Sequence, residues 1–511
     1  MRESGILLPV ASLASEYGIG CFDVAAYEFV DRLEEMGQSV WQILPVGPTG
    51  YGDSPYQSFS TFAGNPYFLS LKDFISRGWL TEEQVKKADL EGKAGKIDYH
   101  KQYKNRFPLL RTAYRNSHIQ EDKEFLAFLQ REEDWLFDYG LFMAIKDAKD
   151  GASYQTWEEE IRRHEPDAVA KYTKLYEDEI LFYEFLQYEF ERQWQRLKNY
   201  ANRKGIRIFG DIPIYVAADS ADTWSHPELF QLDDRLVPVA VAGCPPDAFS
   251  ETGQLWGNPL YRWEKHKEEG YAWWIKRMEH AFLRYDMLRI DHFRGFHQYY
   301  SIPYGEATAV NGHWEDGPGL AVFEEVKKAL GEKKIIAEDL GFLTDGVKEM
   351  LAQSGFPGMK VLQFAFDARE ESDYMPHNYE RNCVVYTGTH DNPPTMAWWE
   401  ELSSGDLGVA LRYLSLPSRG LLSADWSQIK SRKVREELTR QLVILAMRSV
   451  GDLCIIPIAD YLLLEEEARI NTPSTLGGNW EWRMGEKDLT PGILEYVRRL
   501  TKRYGRERKS T

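Results

Sequence analysis

The sequence predicts an α/β fold, a closed (β/α)8 TIM barrel with inserted, largely helical subdomains in the βα loops. Eight short apolar runs punctuate the chain, and parallel strands that are buried on both faces have this continuous apolar character. Helical, charged stretches lie between most of the runs, which is the alternation of a barrel. Four of the runs end in acidic residues, at the strand ends where barrels carry their functional groups.

The predicted strands and the first helix follow from local patterns. The eight strands are predicted at residues 5–9, 39–44, 206–211, 287–291, 334–338, 359–364, 383–387 and 453–458. A helix with one apolar face is predicted from near Asp23 to Gly37. The glycine- and proline-rich residues 45–66 are predicted to form a loop after the second strand.

Two long segments interrupt the alternation, and we assign the whole chain, residues 1–511, to a single barrel domain. Residues 67–200 are helical and charged in pattern, so they are predicted to be a mainly helical insertion after strand two. Five of their apolar residues recur at helical spacing: Phe182, Leu186, Phe190, Trp194 and Leu197. Residues 212–275 are rich in Pro, Gly, Asp and Trp, and they are predicted to be a loop-rich insertion after strand three.

The composition excludes several classes of partner. The 511 residues are 43% hydrophobic and 28% charged, with a formal net charge of −18. We therefore expect no nucleic acid and no anionic membrane as partner, and no apolar run reaches the ~18 residues of a membrane span. The basic residues 498–509 are predicted to be a frayed, solvated helix end.

The cysteine and glycine patterns argue against metal and phosphate chemistry. The four cysteines are scattered without a C-x-x-C pair: Cys21, Cys244, Cys383 and Cys454. This predicts no disulfide framework and no zinc site, and it favours a reducing compartment. The glycine-rich loop lacks the Gly-Lys-Ser/Thr ending of a phosphate loop. We expect no cofactor and no metal.

Arg289 and Asp291 stand two positions apart at the end of strand four. Their side chains therefore point to the same face, while Ile290 packs on the other. A neighbouring guanidinium lowers the pKa of a carboxyl and keeps it ionised, and an ionised Asp at a barrel mouth can act as a nucleophile. The alternative is a buried structural ion pair.

Glu338 is the better placed of two acids at the end of strand five. Glu338 and Asp339 alternate, so only one of them can face the barrel centre. Glu338 has no paired cation in its own segment, so its pKa is expected to be raised, as a general acid requires. One ionised and one protonated carboxyl equip a retaining glycosidase. Asp211 and Asp391 are then expected to bind sugar hydroxyls, and His390 either joins them or is a structural imidazole.

Seven ordered motifs resemble one known family. They are Gly50-Tyr-Gly-Asp-Ser-Pro-Tyr-Gln57, Gly210-Asp-Ile-Pro213, Leu255-Trp-Gly-Asn-Pro259, Arg289-Ile-Asp-His292, Ala337-Glu-Asp-Leu-Gly341, Gly388-Thr-His-Asp-Asn392 and Asn471-Thr-Pro473. Together they resemble the 4-α-glucanotransferases, also called amylomaltases or disproportionating enzymes, which are glycoside hydrolase family 77 of the α-amylase clan. The resemblance extends from about residue 4 to about residue 485, and it implies a single catalytic barrel without a cofactor.

The resemblance implies a role for each matching residue. Asp291 matches the catalytic nucleophile, Glu338 the general acid/base and Asp391 the third carboxylate, which holds hydroxyls of the distorted sugar. The remaining matches are implied to bind substrate: Arg289, His390, Asp211, Tyr56, Ser54, Trp256, Asn471 and Pro473. For Tyr56 and Trp256 the alternative is that the ring anchors its loop. Family members fold the loop of Trp256 over the acceptor groove, so residues 212–275 are expected to cover the acceptor side.

The implied reaction transfers α-1,4-glucan segments from a donor malto-oligosaccharide to the 4-hydroxyl of an acceptor glucan or glucose. It is a retaining double displacement through a covalent glucosyl-enzyme. The implied substrates are malto-oligosaccharides and glucans from starch or glycogen, and the expected location is the bacterial cytoplasm.

Two other functions remain open from the sequence. One is an α-glucan hydrolase, such as an α-amylase, with the same site; residues 244–253 favour transfer, because family members cover the acceptor side with this segment. The other is a non-catalytic glucan-binding protein. That reading predicts the loss of at least one catalytic carboxylate, and Asp291, Glu338 and Asp391 are all present.

Overall fold

The structure is a computed structural model, which describes residues 2–246, 250–341, 343–414 and 429–508. The strands in these ranges are β1 Glu3–Leu7, β2 Val40–Gln42, β3 Arg207–Ile212, β4 Ala240–Cys244, β5 Gln254–Pro259, β6 Met287–Ile290, β7 Gln298–Pro303, β8 His313–Asp316, β9 Ile335–Ala337, β10 Gly358–Val361, β11 Cys383–Tyr386 and β12 Leu453–Pro457.

Eight parallel strands form the barrel, in the order β1, β2, β3, β6, β9, β10, β11 and β12, with β12 pairing to β1. Between β9 and β10 the backbone N–H of Ala337 donates to the carbonyl of Pro357 at 3.0 Å, which closes the ring. Alternate side chains of the strands fill the interior, among them Phe209, Met287 and Tyr386. The predicted (β/α)8 barrel is therefore confirmed.

Seven of the eight predicted strands lie within two residues of their predicted bounds, and the sixth ends three residues earlier than predicted; the ends of the first and the sixth differ for a physical reason. The first was predicted at residues 5–9, but β1 ends at Leu7, because Pro9 has no N–H for the ladder and the chain turns into a 3-10 helix. The sixth was predicted at residues 359–364, but β10 ends at Val361 and a 3-10 turn follows. In both cases the apolar run continues beyond the strand into a buried turn.

Helices surround the barrel and fill the long segment after β2. The α-helices are Val24–Glu35, Leu71–Ser76, Glu82–Lys87, Tyr99–Lys101, Phe107–Ser117, Lys123–Arg131, Glu133–Ala148, Glu159–Arg162, Pro166–Leu175, Glu177–Arg203, Ala221–Ser225, Trp263–Glu268, Ala272–Arg284, Ala321–Leu330, Asp345–Ser354, Thr395–Glu401, Ser404–Tyr413, Arg432–Arg448, Ile458–Leu462 and Pro491–Arg503. Short 3-10 helices lie at Val10–Ser12, Tyr51–Asp53, Pro66–Phe68, Ile119–Glu121, Tyr154–Thr156, Pro227–Leu229, Phe293–Phe296, Leu362–Phe364, Pro376–Asn378 and Glu466–Ala468, and a π-helical turn lies at Gln102–Arg106.

The long helix Glu177–Arg203 fixes one end of the glycine-rich loop. Its buried Gln187 side chain accepts a hydrogen bond from the N–H of Gly64 at 2.6 Å and donates to the carbonyl of Gly64 at 3.0 Å. A Cβ at Gly64 would lie 2.3 Å from Phe190 Cδ1, so the close packing of helix and loop requires a glycine.

A second, antiparallel sheet has the order β5, β4, β7, β8. This sheet was not predicted from the sequence. Its strands are short, and β4 contains Gly243, where a Cβ would lie 2.1 Å from the carbonyl oxygen of Gln254; glycine weakens a strand pattern while permitting this close approach. The loop between β4 and β5 belongs to the segment that favours transfer, and its residues 247–249 lie outside the described residues.

The chain end after the last helix is anchored, so the prediction that it is frayed is wrong, whereas the predicted solvation holds for the exposed basic side chains at residues 498, 499, 502 and 503. The side chain of Arg506 is fully buried, and it donates hydrogen bonds to the carbonyls of Met447 at 2.7 Å, Glu3 at 2.8 Å and Gly451 at 3.0 Å. Lys509 lies outside the described residues. Among the residues that are described, no helix is long and apolar enough to cross a membrane.

Candidate active site

The four predicted carboxylates stand at the C-terminal ends of barrel strands. Asp211 is in β3, Asp291 directly follows β6, Glu338 directly follows β9, and Asp391 lies in the loop after β11. Asp211 is in register with Arg289 on the neighbouring strand. The strand alternation of the barrel therefore delivers these side chains to one mouth, where barrel enzymes carry their chemistry.

Arg289 joins two of the carboxylates. Its Nη1 lies 2.7 Å from Asp211 Oδ2, and its Nη2 lies 2.9 Å from Asp291 Oδ1. The side chain of Asp211 is 0% exposed, whereas that of Asp291 is 29% exposed. Asp211 is thus the buried member of the ion-pair network, and Asp291 is the carboxylate that a substrate can reach.

The pKa of Asp291 differs from the expectation. Burial raises the pKa of this carboxyl, and Arg289 opposes the rise without cancelling it. The guanidinium is shared with Asp211, and the negative charges of Asp211 and Asp391 raise the pKa further. Arg289 therefore lowers the pKa of Asp291 and forms the ion pair, both as predicted, but burial outweighs its effect, so the expectation of a net lowering is wrong.

Two backbone N–H groups hold the carboxylate of Glu338. His292 donates to Oε2 at 2.8 Å, and Leu340 donates to Oε1 at 2.7 Å. Burial raises the pKa of Glu338; Arg289 opposes the rise and the charge of Asp291 adds to it. The expected upward direction of this pKa is confirmed, and it suits a group that must give up a proton.

Asp339, the second acid of this segment, has a structural contact instead. Asp339 is buried, and its Oδ1 accepts a hydrogen bond from the backbone N–H of Met359 at 2.6 Å. It therefore fastens β9 to β10, which agrees with the expectation that only one of the two acids faces the barrel centre.

Asp391 is oriented by two neighbours. The side-chain amide of Asn471 donates to Asp391 Oδ1 at 2.6 Å, and His390 Nε2 lies 3.3 Å from Oδ2. The backbone N–H of Asn471 also donates to the carbonyl of His390 at 3.2 Å. His390 is buried within this group, so its imidazole both packs and belongs to the site.

Tyr56 connects Asp211 with His390. Its hydroxyl donates to Asp211 Oδ2 at 2.8 Å and lies 2.9 Å from His390 Nε2, and its ring stacks on the imidazole at 5.3 Å between centroids. Burial and the nearby carboxylates raise the pKa of Tyr56 well above its usual value, so the phenol remains a donor. The N–H of Ala221 donates to the carbonyl of Phe59 at 2.8 Å, which holds the loop that presents Tyr56.

Trp256 lies half-buried in β5. Its ring meets the imidazole of His292 edge to face, with centroids 4.8 Å apart and planes at 89°. The side chain of Gln57, from the glycine-rich loop, donates to Asn258 Oδ1 at 3.0 Å. The glycine-rich loop and β5 are thus joined beside Trp256.

Two predicted residues have contacts outside the carboxylate group. Ser54 Oγ accepts a hydrogen bond from the N–H of Tyr56 at 3.3 Å, so it shapes the loop that presents Tyr56. Pro473 is exposed, two residues after Asn471, in a turn where the N–H of Thr472 donates to Asn479 Oδ1 at 2.9 Å. The structure therefore brings Asn471 to the carboxylates and leaves Pro473 at the rim.

His292 and Trp480 also lie at the site, and neither was predicted from the sequence. The ring of Trp480 lies 5.9 Å from that of Tyr56 and 6.1 Å from that of His390. Both missed residues have a positive φ, 51° at His292 and 65° at Trp480, a conformation that a sequence signals only through glycine, Asn or Asp. The one available signal was that His292 completes the motif of residues 289–292.

The site offers two carboxyls in different surroundings, one paired with Arg289 and one held by backbone N–H groups. Such a pair can supply a nucleophile and a general acid to a glycosidic bond. Within the ranges that the structure describes, no group of three or more His, Cys, Asp or Glu side chains is arranged to hold a metal ion.

Comparison with known proteins places the chain among relatives along nearly its whole length. The family model for 4-alpha-glucanotransferase, glycoside hydrolase family 77, matches residues 8–489. The 4-alpha-glucanotransferase of Clostridium butyricum is 44% identical over 97% of this chain and 99% of its own length, and that of Thermus thermophilus is 44% identical over 96% of each. The structure of the amylomaltase from Streptococcus agalactiae in complex with acarbose superposes with a TM-score of 0.93 at 39% identity, covering 99% of this chain and 100% of that one.

Proposed function

The chain belongs to the 4-alpha-glucanotransferase family, glycoside hydrolase family 77, and its activity is glucan transfer; we propose that Asp291, Glu338 and Asp391 carry this reaction as a retaining double displacement. The observation that carries the proposal is the pairing of an accessible, Arg289-bound Asp291 with a Glu338 whose pKa is raised at the same barrel mouth.

In the first step the carboxylate of Asp291 attacks the anomeric carbon of an α-1,4-glucan. Glu338 gives its proton to the glycosidic oxygen, so the leaving glucan departs as a neutral alcohol and a covalent β-glucosyl enzyme forms. Arg289 keeps Asp291 oriented through the 2.9 Å contact. Asp391, held by Asn471 at 2.6 Å, holds hydroxyls of the distorted sugar.

In the second step Glu338, now ionised, removes the proton from the 4-hydroxyl of an acceptor glucan or glucose. That oxygen attacks the anomeric carbon, the bond to Asp291 breaks, and the α-1,4 linkage is restored. The two N–H donors on Glu338 suit both steps, because they orient the carboxyl whether or not it carries the proton.

The substrates that fit this proposal are malto-oligosaccharides and glucans from starch or glycogen. The amylomaltase from Streptococcus agalactiae was solved in complex with acarbose, which supports an α-glucan in the corresponding groove here. The segment of residues 212–275 would cover the acceptor side, since it carries Trp256. A cytoplasmic location is part of the proposal, and buried thiols at Cys21, Cys383 and Cys454 support it.

Incubation with maltotriose tests the proposal against the hydrolase alternative. A transferase produces a ladder of longer glucans together with shorter ones, whereas a hydrolase accumulates glucose and maltose. The Asp291→Asn variant serves as the inactive control, because its amide cannot form the glucosyl ester. Glucose accumulation without a ladder would overturn transfer, and a ladder made by Asp291→Asn would overturn the role of Asp291.

A further inference from the structure

His292 lies between the proposed acid/base and the acceptor-side tryptophan. Its backbone N–H donates to Glu338 Oε2 at 2.8 Å, and its imidazole meets the ring of Trp256 at 4.8 Å. One residue therefore contacts both the group that must deprotonate the acceptor and the aromatic side chain beside which the acceptor is proposed to bind.

The backbone of His292 has an unusual conformation that serves the contact with Glu338. Its φ of 51° and ψ of 49° place it in the left-handed region, between the end of β6 and the 3-10 helix Phe293–Phe296. A non-glycine residue in this region is strained, so the surroundings must hold it there. The reversal turns the N–H of residue 292 toward the carboxylate that follows β9.

The ring of His292 is held by packing rather than by hydrogen bonds at Nε2. Within the described residues, Nε2 is buried without a hydrogen-bond partner, and burial lowers the pKa of the imidazole to about 3, so the ring is neutral. The edge-to-face contact with Trp256, at 89° between planes, is a favourable arrangement of two aromatic rings. The ring of Trp256 is thus a packing contact of the residue whose backbone N–H holds Glu338.

We propose that His292 is a positioning residue that couples Trp256 to Glu338. The inference rests on the proposed function of Glu338. An acceptor sugar that packs against Trp256 presses that ring onto His292, which fixes the N–H that orients Glu338 Oε2. Water makes no such contact with Trp256, so it reacts with a less well-oriented base. The coupling therefore favours sugar over water as the acceptor of the glucosyl group.

The test is a double-mutant cycle of His292→Asn and Trp256→Ala, read as the ratio of hydrolysis to transfer from maltotriose. Asn tolerates the left-handed region and keeps the backbone N–H, so the substitution removes the ring alone. Each single variant should raise the ratio roughly two- to ten-fold, the equivalent of one aromatic contact. The double variant should match the stronger single variant, because both substitutions break the same link.

The pH profile separates coupling from a merely structural role. An N–H donor favours the ionised form of a carboxyl, so a loosened His292 should raise the pKa of Glu338 and move the basic limb of transfer upward by roughly 0.5 pH unit. The other charged or titratable groups that act on Glu338 are Arg289, Asp291, Arg294 and Tyr374, and the substitutions leave them in place.

A matched control and a second variant keep the test decisive. His297→Asn makes the same change at the end of the same 3-10 helix and should leave both the ratio and the basic limb unchanged. If His292→Asn does not fold, His292→Gly, which adopts positive φ freely, replaces it. Additive effects in the double variant, or an unmoved basic limb in a folded variant, would overturn the coupling. If the Glu338→Gln variant remained fully active, the acid/base assignment itself would be overturned instead.

Discussion

The Glu338→Gln variant removes the proposed acid/base while keeping the shape of its side chain. Glu338 accepts from the N–H of His292 at 2.8 Å and from the N–H of Leu340 at 2.7 Å, one on each oxygen. A glutamine amide has a single accepting oxygen, so one of these N–H groups must face an NH2 donor. An unsatisfied buried donor costs ~1–3 kcal/mol, and we expect the free energy of unfolding to fall by that amount.

The loss of activity should exceed the loss of stability and should depend on the leaving group. Removing a general acid lowers the rate by ~10²–10⁴-fold, which we expect for maltotriose, because its leaving sugar needs a proton. Fluoride needs little protonation, so the first turnover of α-glucosyl fluoride should remain close to the wild-type rate. The assay compares fluoride release in a single turnover with ladder formation from maltotriose, and circular dichroism checks the fold. Equal losses with both donors in a folded variant would refute the reasoning.

Three further outcomes follow from the same geometry. Asp291→Asn should nearly abolish transfer with an unchanged circular dichroism spectrum, and retention of more than a few per cent of activity would remove Asp291 from the nucleophile role. Tyr56→Phe removes one hydrogen bond to the charged Asp211 and should lower kcat/KM by roughly 10- to 100-fold, measured with maltotriose; an unchanged kcat/KM would show that the hydroxyl is dispensable. The pH profile of activity should be bell-shaped, because protonation of Asp291 ends activity at low pH and deprotonation of Glu338 ends it at high pH. Both limbs should lie above the usual carboxyl range, because burial raises both pKa values. Limbs near pH 4 would contradict this.

The barrel could be predicted because its strands are buried on both faces and so appear as apolar runs in the sequence. Residues two apart on such a strand share a face, which is enough to pair Arg289 with Asp291 from the sequence alone. The antiparallel sheet escaped prediction because its strands are short and its close contacts depend on Gly243, which weakens the strand pattern. Pairing between β4 and β7 joins segments on either side of β6, and no local pattern encodes such a contact.

The electrostatics of the site were harder to predict than the set of residues that form it. The sequence places Arg289 beside Asp291, but it does not show that Asp211 takes the other half of the same guanidinium at 2.7 Å. Likewise, the basic character of the chain end suggested solvation, whereas Arg506 is buried among backbone carbonyls. In both cases the surroundings of the side chain depend on residues that are distant in the sequence. The local pattern of charges therefore predicts neither the partners of the side chain nor its burial.

The sharing of Arg289 gives a last prediction, for Asp211→Asn. The charge of Asp211 raises the pKa of Asp291, and its Oδ2 occupies Arg289 Nη1 at 2.7 Å. Arg289 Nη1 and the Tyr56 hydroxyl both donate to Oδ2 of Asp211, and an asparagine oxygen at that position can still accept both bonds, so the substitution removes the charge while these two hydrogen bonds are retained. The pKa of Asp291 should then fall. Because the nucleophile must be ionised, the acidic limb of the kcat/KM profile should move to lower pH.

The matched control for that shift is Asp222→Asn. Asp222 is a buried aspartate whose Oδ2 accepts from the N–H of Thr61 at 2.8 Å in the glycine-rich loop, and an asparagine oxygen can replace it there. Its loss of charge should leave the acidic limb where it is in the wild-type enzyme. An acidic limb that stays in place or rises in a folded Asp211→Asn variant would show that Asp211 does not compete with Asp291 for Arg289. The network would then orient the nucleophile without setting its pKa.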